Sequence, residues 1–306
     1  MMDGGQTYAD WVAVDWGTSN MRAWAMSSDG QVLGEVRSDK GMGTLQPHEF
    51  EPVLNEVLQN WIGSRTLPVV ACGMVGSRQG WVEAPYATVP CPPVGTSGVT
   101  APTTDPRLNV RIIPGLCQTP PADVMRGEEV QIAGFLAGNA EFDGVICLPG
   151  THTKWVHISA GEIVSFQTFM TGELFSLLST KSILRHSVAA DSWDSVAFLE
   201  GIEDAMSRPQ SVASQLFGLR AGSLIADLSP ATARSRLSGL LIGIELAAAR
   251  PYWLGRNVAF IGADELAGLY VDALIKQGLN TSKADTQTMT LLGLAAAKNS
   301  LKEHAN

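Results

Sequence analysis

The chain has 306 residues, 45% of them hydrophobic, and a formal net charge of −9. This content can fill a large core and two lobes of ordinary domain size, which excludes a disordered or fibrous protein. Basic residues are scattered, which argues against a nucleic-acid partner, and no run approaches the roughly 20 apolar residues of a membrane helix. The N-terminus has neither a basic segment nor an apolar signal core, so the expected location is the cytoplasm, with no membrane partner.

The first apolar run, residues 12–14, ends at Asp15 and is followed by Gly17-Thr18-Ser19. Gly17 lets the backbone approach an anion, the hydroxyls of Thr18 and Ser19 can donate to phosphate oxygens, and Asp15 can hold a magnesium ion through its waters. The plain alternative is a strand end with a tight turn. Residues 21–26, 31–33 and 35–37 read as successive hairpin strands, residues 40–43 as a loop, and the apolar spacing over 49–62 as a helix covering the sheet.

A buried strand over 67–72 then runs into Gly73-Met74-Val75-Gly76-Ser77-Arg78-Gln79-Gly80-Trp81. Strand ends of this kind are where α/β proteins place ligands, and Gly76, Ser77, Arg78, Gln79 and Trp81 are candidate substrate contacts. The planar fork of Arg78 suits a carboxylate; the alternative is a solvated arginine in a Gly-rich loop. Residues 86–121 read as an irregular excursion with one strand over 110–113. A helix is expected from Asp123 to Gly138, with acidic residues in its first turn. Glu128 and Glu129 there are either caps or the source of a base for a substrate hydroxyl. Arg126 beside them is a further cation to hold an anionic substrate.

Residues 145–156 repeat the opening pattern: a buried strand, Gly150-Thr151, and a strand carrying Lys154-Trp155. Leu148 stands where the first copy has Asp15, so the second arm can grip phosphate but offers no carboxylate. Thr171-Gly172-Glu173 opens a helix, and further helices are expected over 195–206, 212–219 and 230–250. Strand 258–261 turns at Gly262-Ala263 into another helix, and a last helix covers 290–301. The cysteines, Cys72, Cys91, Cys117 and Cys147, have no Cys-x-x-Cys spacing, which argues against disulfides and structural zinc.

Duplicated strand, Gly-Thr and hairpin units resemble the phosphate clamps of the actin, sugar-kinase and chaperone-ATPase superfamily. The strings Val14-Asp15-Trp16-Gly17-Thr18-Ser19, Cys72-Gly73-Met74-Val75-Gly76-Ser77-Arg78-Gln79-Gly80-Trp81, Met125-Arg126-Gly127-Glu128-Glu129, Leu148-Pro149-Gly150-Thr151-His152-Thr153-Lys154-Trp155 and Thr168-Phe169-Met170-Thr171-Gly172-Glu173-Leu174 resemble, in order, the 2-dehydro-3-deoxygalactonokinase family. The resemblance implies an α/β fold of two ribonuclease H-like lobes, residues 1–140 and 141–306, with a nucleotide cleft between them. It further implies ATP and Mg2+ as cofactors and transfer of the γ-phosphoryl group to the terminal hydroxyl of 2-dehydro-3-deoxy-D-galactonate. Gly17, Thr18, Ser19, Gly150, Thr151, Lys154, Gly262 and Ala263 would then hold the nucleotide. Glu128 is favoured over Glu129 as base because it directly follows the glycine, as the aspartate does in the sugar-kinase pattern. The expected partners are the sugar acid and ATP, with a homodimer as the candidate assembly. The alternatives are a phosphohydrolase or nucleotide sensor on the same scaffold, disfavoured by the Gly-Ser-Arg-Gln-Gly-Trp loop, and a sugar-acid-responsive regulator, disfavoured because no basic helix-turn-helix is seen ahead of Val12.

Overall fold

A computed structural model describes residues 8–303, which form two compact units. Unit 1 takes the described residues up to Phe142, Ser159–Ser165 and those from Thr286 on; unit 2 takes Asp143–Ile158 and Phe166–Asp285.

Unit 1 holds β1 (Trp11–Trp16), β2 (Met21–Met26), β3 (Val32–Ser38), α1 (Phe50–Leu58), β4 (Leu67–Cys72), β5 (Ala87–Thr88), β6 (Val99–Thr100), β7 (Leu108–Ile112), β8 (Leu116–Gln118), β9 (Asp123–Met125) and α2 (Glu128–Gly138). Its main sheet runs β3-β2-β1-β4-β7-β6. The first three strands form an antiparallel meander, and β4 and β7 continue it in parallel with β1. Both faces are covered, which is why β1 and β4 read as unbroken apolar runs instead of alternating. Val12, Val14 and Trp16 pack with Phe50, Leu54 and Leu58 of α1. Trp11, Ala13 and Cys72, on the other face, pack with Val130 of α2 and with Leu294 and Ala297 of the C-terminal helix (Thr286–Glu303).

Unit 2 repeats the plan with β10 (Gly144–Leu148), β11 (Thr153–Ser159), β12 (Glu162–Phe169), α3 (Thr171–Thr180), α4 (Ser195–Ser207), α5 (Val212–Ile225), α6 (Pro230–Ala248), α7 (Arg250–Trp253), β13 (Val258–Gly262), α8 (Asp264–Lys276) and β14 (Thr281–Asp285), the end of β11 and the first half of β12 falling in the Ser159–Ser165 segment of unit 1. The sheet order is β12-β11-β10-β13-β14, with β10 antiparallel to β11 and β13 parallel to both β10 and β14. A hairpin meander continued by parallel strands is the ribonuclease H-like arrangement, and the chain carries it twice, as the resemblance implies.

Three differences from the sequence reading have physical causes. The helix expected from Asp123 begins at Glu128, because Gly127 sits at φ 104, outside helical space, and Asp123–Met125 pairs instead with β8. The excursion over 86–121 contributes β5 and β8 to a small β5-β8-β9 sheet, whose strands are two or three residues long and too short to leave a periodic signal. The C-terminal helix packs in unit 1, so residues 141–306 are not one body. Its docking is backbone to backbone: a Cβ on Gly134 would lie 1.9 Å from the Met289 carbonyl oxygen, and one on Gly293 would lie 1.8 Å from that of Val130.

Candidate active site

In unit 1 the ends of β1 and β4 and the start of α2 converge. Asp15, the last polar residue of β1, is paired across the hairpin with Arg22, whose Nη2 donates to Oδ2 at 2.8 Å. Gly73 follows β4 at φ 89, and a Cβ there would stand 2.8 Å from the Trp16 carbonyl oxygen and 3.5 Å from Asp15 Oδ1. Only glycine lets the chain leave β4 beside that carboxylate. A Cβ on Gly127 would in turn touch the Gly73 Cα at 3.5 Å, which brings α2 to the same spot.

The Gly17-Thr18-Ser19 turn is braced from behind. Gly17 N–H donates to Asn20, while Met42 and Gly43 donate to the carbonyls of Gly17 and Thr18. Gly41 presses so closely on the turn that a Cβ would meet the Ser19 carbonyl carbon at 2.3 Å. The Thr18 and Ser19 side chains remain exposed, as a phosphate-facing turn requires.

The two glutamates that open α2 have opposite environments. Glu129 is fully buried; its Oε2 accepts the Gly127 N–H at 2.7 Å, and its Oε1 is sealed without a partner. Burial first, and then the neighbouring Glu128 charge, push its carboxyl up to about 8, so it is largely protonated at neutral pH. Glu128 is half-buried and accepts the Arg126 N–H at 3.1 Å. The pair therefore divides into a neutral cap and a second carboxyl that keeps access to solvent.

The Gly-rich loop after β4 is less uniform than its sequence suggests. Trp81 is a core residue, stacked on Phe50 at 6.0 Å and edge-on to Trp16 at 6.3 Å, so it forms the loop's floor and offers no open indole face. Arg78 is 80% exposed and only loosely paired with Glu83 at 3.6 Å; Gln79 is exposed too. Arg126 lies over the Tyr86 ring and donates to the Ala84 carbonyl at 2.8 Å, while its Nε and Nη1 are sealed without acceptors. Gly76 leaves room for it, since a Cβ would approach Nη1 to 3.0 Å. The buried Ser77 hydroxyl also lacks a partner.

In unit 2 the second Gly-Thr turn borders a cavity of about 600 Å³ lined by Gly150, Thr151, Thr171, Gly172, Ala263 and Tyr270 among others. The first turn of α3 closes on the loop: a Cβ on Gly172 would stand 2.3 Å from the Gly150 carbonyl oxygen, and Glu173 N–H donates to the Thr151 carbonyl. Gly262 packs beside Pro149, with 3.3 Å to its Cδ for an added Cβ. Lys154 is buried, pairs in register with Leu148, and its Nζ reaches the His152 carbonyl at 3.3 Å. Gly150, Thr151 and Ala263 thus share one cavity. Sequence reasoning missed Arg234 and Trp193, which line the same cavity from segments without a motif. It also missed Glu245, an acid inside the apolar run of α6, where Ile244-Glu245-Leu246 was the available signal.

Two ribonuclease H-like sheets, each ending its first strand at a Gly-Thr turn, are the fold of the actin-like and sugar-kinase class. More particularly, the chain belongs to the 2-keto-3-deoxy-galactonokinase family, whose model matches residues 15–297. It is 40% identical over 293 residues to a Rhizobium meliloti (strain 1021) protein described as a probable 2-dehydro-3-deoxygalactonokinase, covering 94% of this chain and 96% of that one. It is 34% identical over 289 residues to the Escherichia coli (strain K12) 2-dehydro-3-deoxygalactonokinase, with the same coverage. A crystal structure of a Sinorhizobium meliloti protein provisionally given that activity superposes with a TM-score of 0.90 at 38% identity, over 95% of this chain and 99% of the other. Among the described residues no helix is long and apolar enough to cross a membrane.

Proposed function

We propose that the family reaction is divided between the two sites just described, with the sugar acid and the reacting phosphoryl group met by unit 1 and the nucleoside by the cavity of unit 2. The chain is an ATP-dependent 2-dehydro-3-deoxygalactonokinase acting in galactonate catabolism. The bond from the γ-phosphorus to the bridging oxygen of ADP breaks, the terminal (6-) hydroxyl oxygen of 2-dehydro-3-deoxy-D-galactonate bonds to that phosphorus, and the hydroxyl proton leaves to a base.

Glu128 is that base in this reading. Its neighbour Glu129 is sealed and holds a proton near neutral pH, whereas Glu128 keeps access to solvent at the meeting point of Asp15, Gly73 and Gly127. The turns at Gly17-Thr18-Ser19 and Gly150-Thr151 donate to phosphate oxygens, with Lys154 as the nearby cation, and Ala263 with Gly262 lets the nucleoside approach the backbone. Arg78, exposed and loosely held, is free to pair with the substrate carboxylate, while Gly76, Ser77, Gln79 and Arg126 shape the loop around it. Trp81 supports that loop from the core.

Asp15 would hold Mg2+. Among the described residues no cluster of three metal-ligating side chains occurs, and the single strand-end carboxylate fits magnesium, which takes one or two carboxylates together with substrate phosphates and waters. When bound, the ion neutralises charge on the phosphates. The observation that carries the division of labour is the shared cavity of Gly150, Thr151 and Ala263. The test is coupled ADP release across 2-keto-3-deoxy sugar acids with a no-sugar control. ADP release that depends on the galactonate derivative is expected; equal release without sugar would make the chain a hydrolase.

A further inference from the structure

Glu245 sits in the last turn of α6, 1% exposed, and among the described residues no cation acts on it. Both of its oxygens are nonetheless hydrogen-bonded. Trp155 Nε1 donates to Oε1 at 2.7 Å, the Tyr270 hydroxyl donates to Oε2 at 2.8 Å, and the Thr171 side chain adds a third hydrogen bond. Because the Tyr270 proton points at Glu245, Thr153 Oγ1 is the donor in its 3.1 Å contact with the Tyr270 oxygen.

A buried carboxyl without a counter-charge is costly unless donors meet it, and here three side chains from three other elements, Trp155, Tyr270 and Thr171, do that, with Thr153 donating in turn to Tyr270. Those elements are the ones that build the cavity. Thr153 and Trp155 lie on β11, directly after Gly150-Thr151; Thr171 is the first residue of α3, whose next residue, Gly172, touches the Gly150 carbonyl; Tyr270 lines the cavity from α8.

We propose that Glu245 is a positioning residue for the nucleotide: its carboxylate, from behind the cavity wall, fixes the spacing between the Gly150-Thr151 turn, the start of α3 and Tyr270. This rests on the reading of that cavity as the nucleotide site. Glu245 touches neither ATP nor sugar acid and acts only through Trp155, Thr171 and Tyr270.

The test compares Glu245→Gln with Tyr270→Phe and Gly172→Ala in the full chain, measuring KM for ATP and for the sugar acid separately, kcat, and the melting temperature. Glu245→Gln keeps the shape but turns one acceptor into a donor facing donors. It is expected to raise the KM for ATP about tenfold while the sugar-acid KM stays within twofold. Tyr270→Phe, which removes one donor and leaves two, should move the ATP KM the same way by a smaller factor, and it carries the test if Glu245→Gln does not fold. Gly172→Ala, which must push α3 off the turn, should also raise the ATP KM. If Gly172→Ala raises the ATP KM but neither of the other variants does, the role given to Glu245 is wrong while the cavity assignment stands. If Gly172→Ala acts on the sugar-acid KM instead, both readings fall. Equal shifts of the two KM values in a folded Glu245→Gln would reduce Glu245 to general stability.

Discussion

Asp15 shows how far a single residue could be read. Its place at the end of an apolar strand before Gly-Thr was visible in the sequence, but its cross-strand pairing with Arg22 at 2.8 Å was not, because register is set by the hairpin. Asp15→Ala is expected to lower kcat at least tenfold, about 1.4 kcal/mol of barrier, with the melting temperature little changed because the pair is part-exposed. Steady-state kinetics beside a thermal melt check this, and retention of most activity would remove Asp15 from the reaction. Glu128→Gln should cut kcat by 10²–10⁴ with substrate KM values preserved, the range expected for loss of a general base. The matched Glu129→Gln variant should leave kcat largely intact, and a large loss only there would move the base by one position. For Arg78→Ala the loss falls on the sugar-acid KM: a charge-assisted hydrogen bond contributes roughly 1.5–3 kcal/mol, on the order of 10- to 100-fold, and ATP KM should hardly move. The contrast between exposed Arg78 and stacked Arg126 could not be read from the sequence, since both stand in Gly-flanked polar stretches and only the fold seats one on Tyr86.

At the scale of elements, long apolar segments were legible and short or polar ones were not. β1, β2, β4 and β10 bury nearly every residue, so their runs announced them. β14, Thr-Ser-Lys-Ala-Asp, has no apolar face and is ordered by pairing with β13, a tertiary cause that leaves no local pattern. The C-terminal helix was found but its address was not. Its mean hydropathy is low, and what decides its docking is a pair of glycines, Gly134 and Gly293, that let two helix backbones touch. Gly293→Ala would place a methyl group 1.8 Å from the Val130 carbonyl, in α2 and one residue after Glu129. The helices must separate, and overpacking of this kind typically costs 1–3 kcal/mol or somewhat more. The expected outcome is a lower midpoint in urea with unchanged m-value, together with reduced kcat because α2 carries Glu128. A variant as stable as wild type would mean that the crossing is looser than the backbone contact implies.

Taken as a whole, the molecule buries two carboxyls whose pKa burial raises from the ordinary 4.5, Glu129 in unit 1 to about 8 and Glu245 in unit 2 to about 7. A carboxyl whose pKa is higher folded than unfolded binds its proton more tightly in the native state. Its contribution is therefore fully present below about 4.5 and is lost as pH rises through the folded value. Between those limits each group gives the unfolding free energy a downward slope of up to about 1.4 kcal/mol per pH unit. Asp29, Asp105, Asp194 and Glu35 are shifted the other way by hydrogen bonds, with effects at acid pH, while His157, lowered from 6.5 by burial and Arg256, makes stability rise with pH up to about 6.5, so the two glutamates are read from pH 7 upward. Urea unfolding at pH 6, 7, 8 and 9 should thus show stability falling from pH 7 to 8 through the glutamates, with the buried thiols of Cys72 and Cys147, raised well above their ordinary 9.0, continuing the fall toward pH 9. Glu129→Gln, which keeps the Gly127 N–H acceptor and cannot ionise, should flatten the part of the slope nearest pH 8 and raise stability at pH 9. An unchanged profile in that variant would mean that Glu129 ionises in the native state as readily as in the unfolded chain, and the neutral-cap reading that leaves Glu128 as base would lose its support.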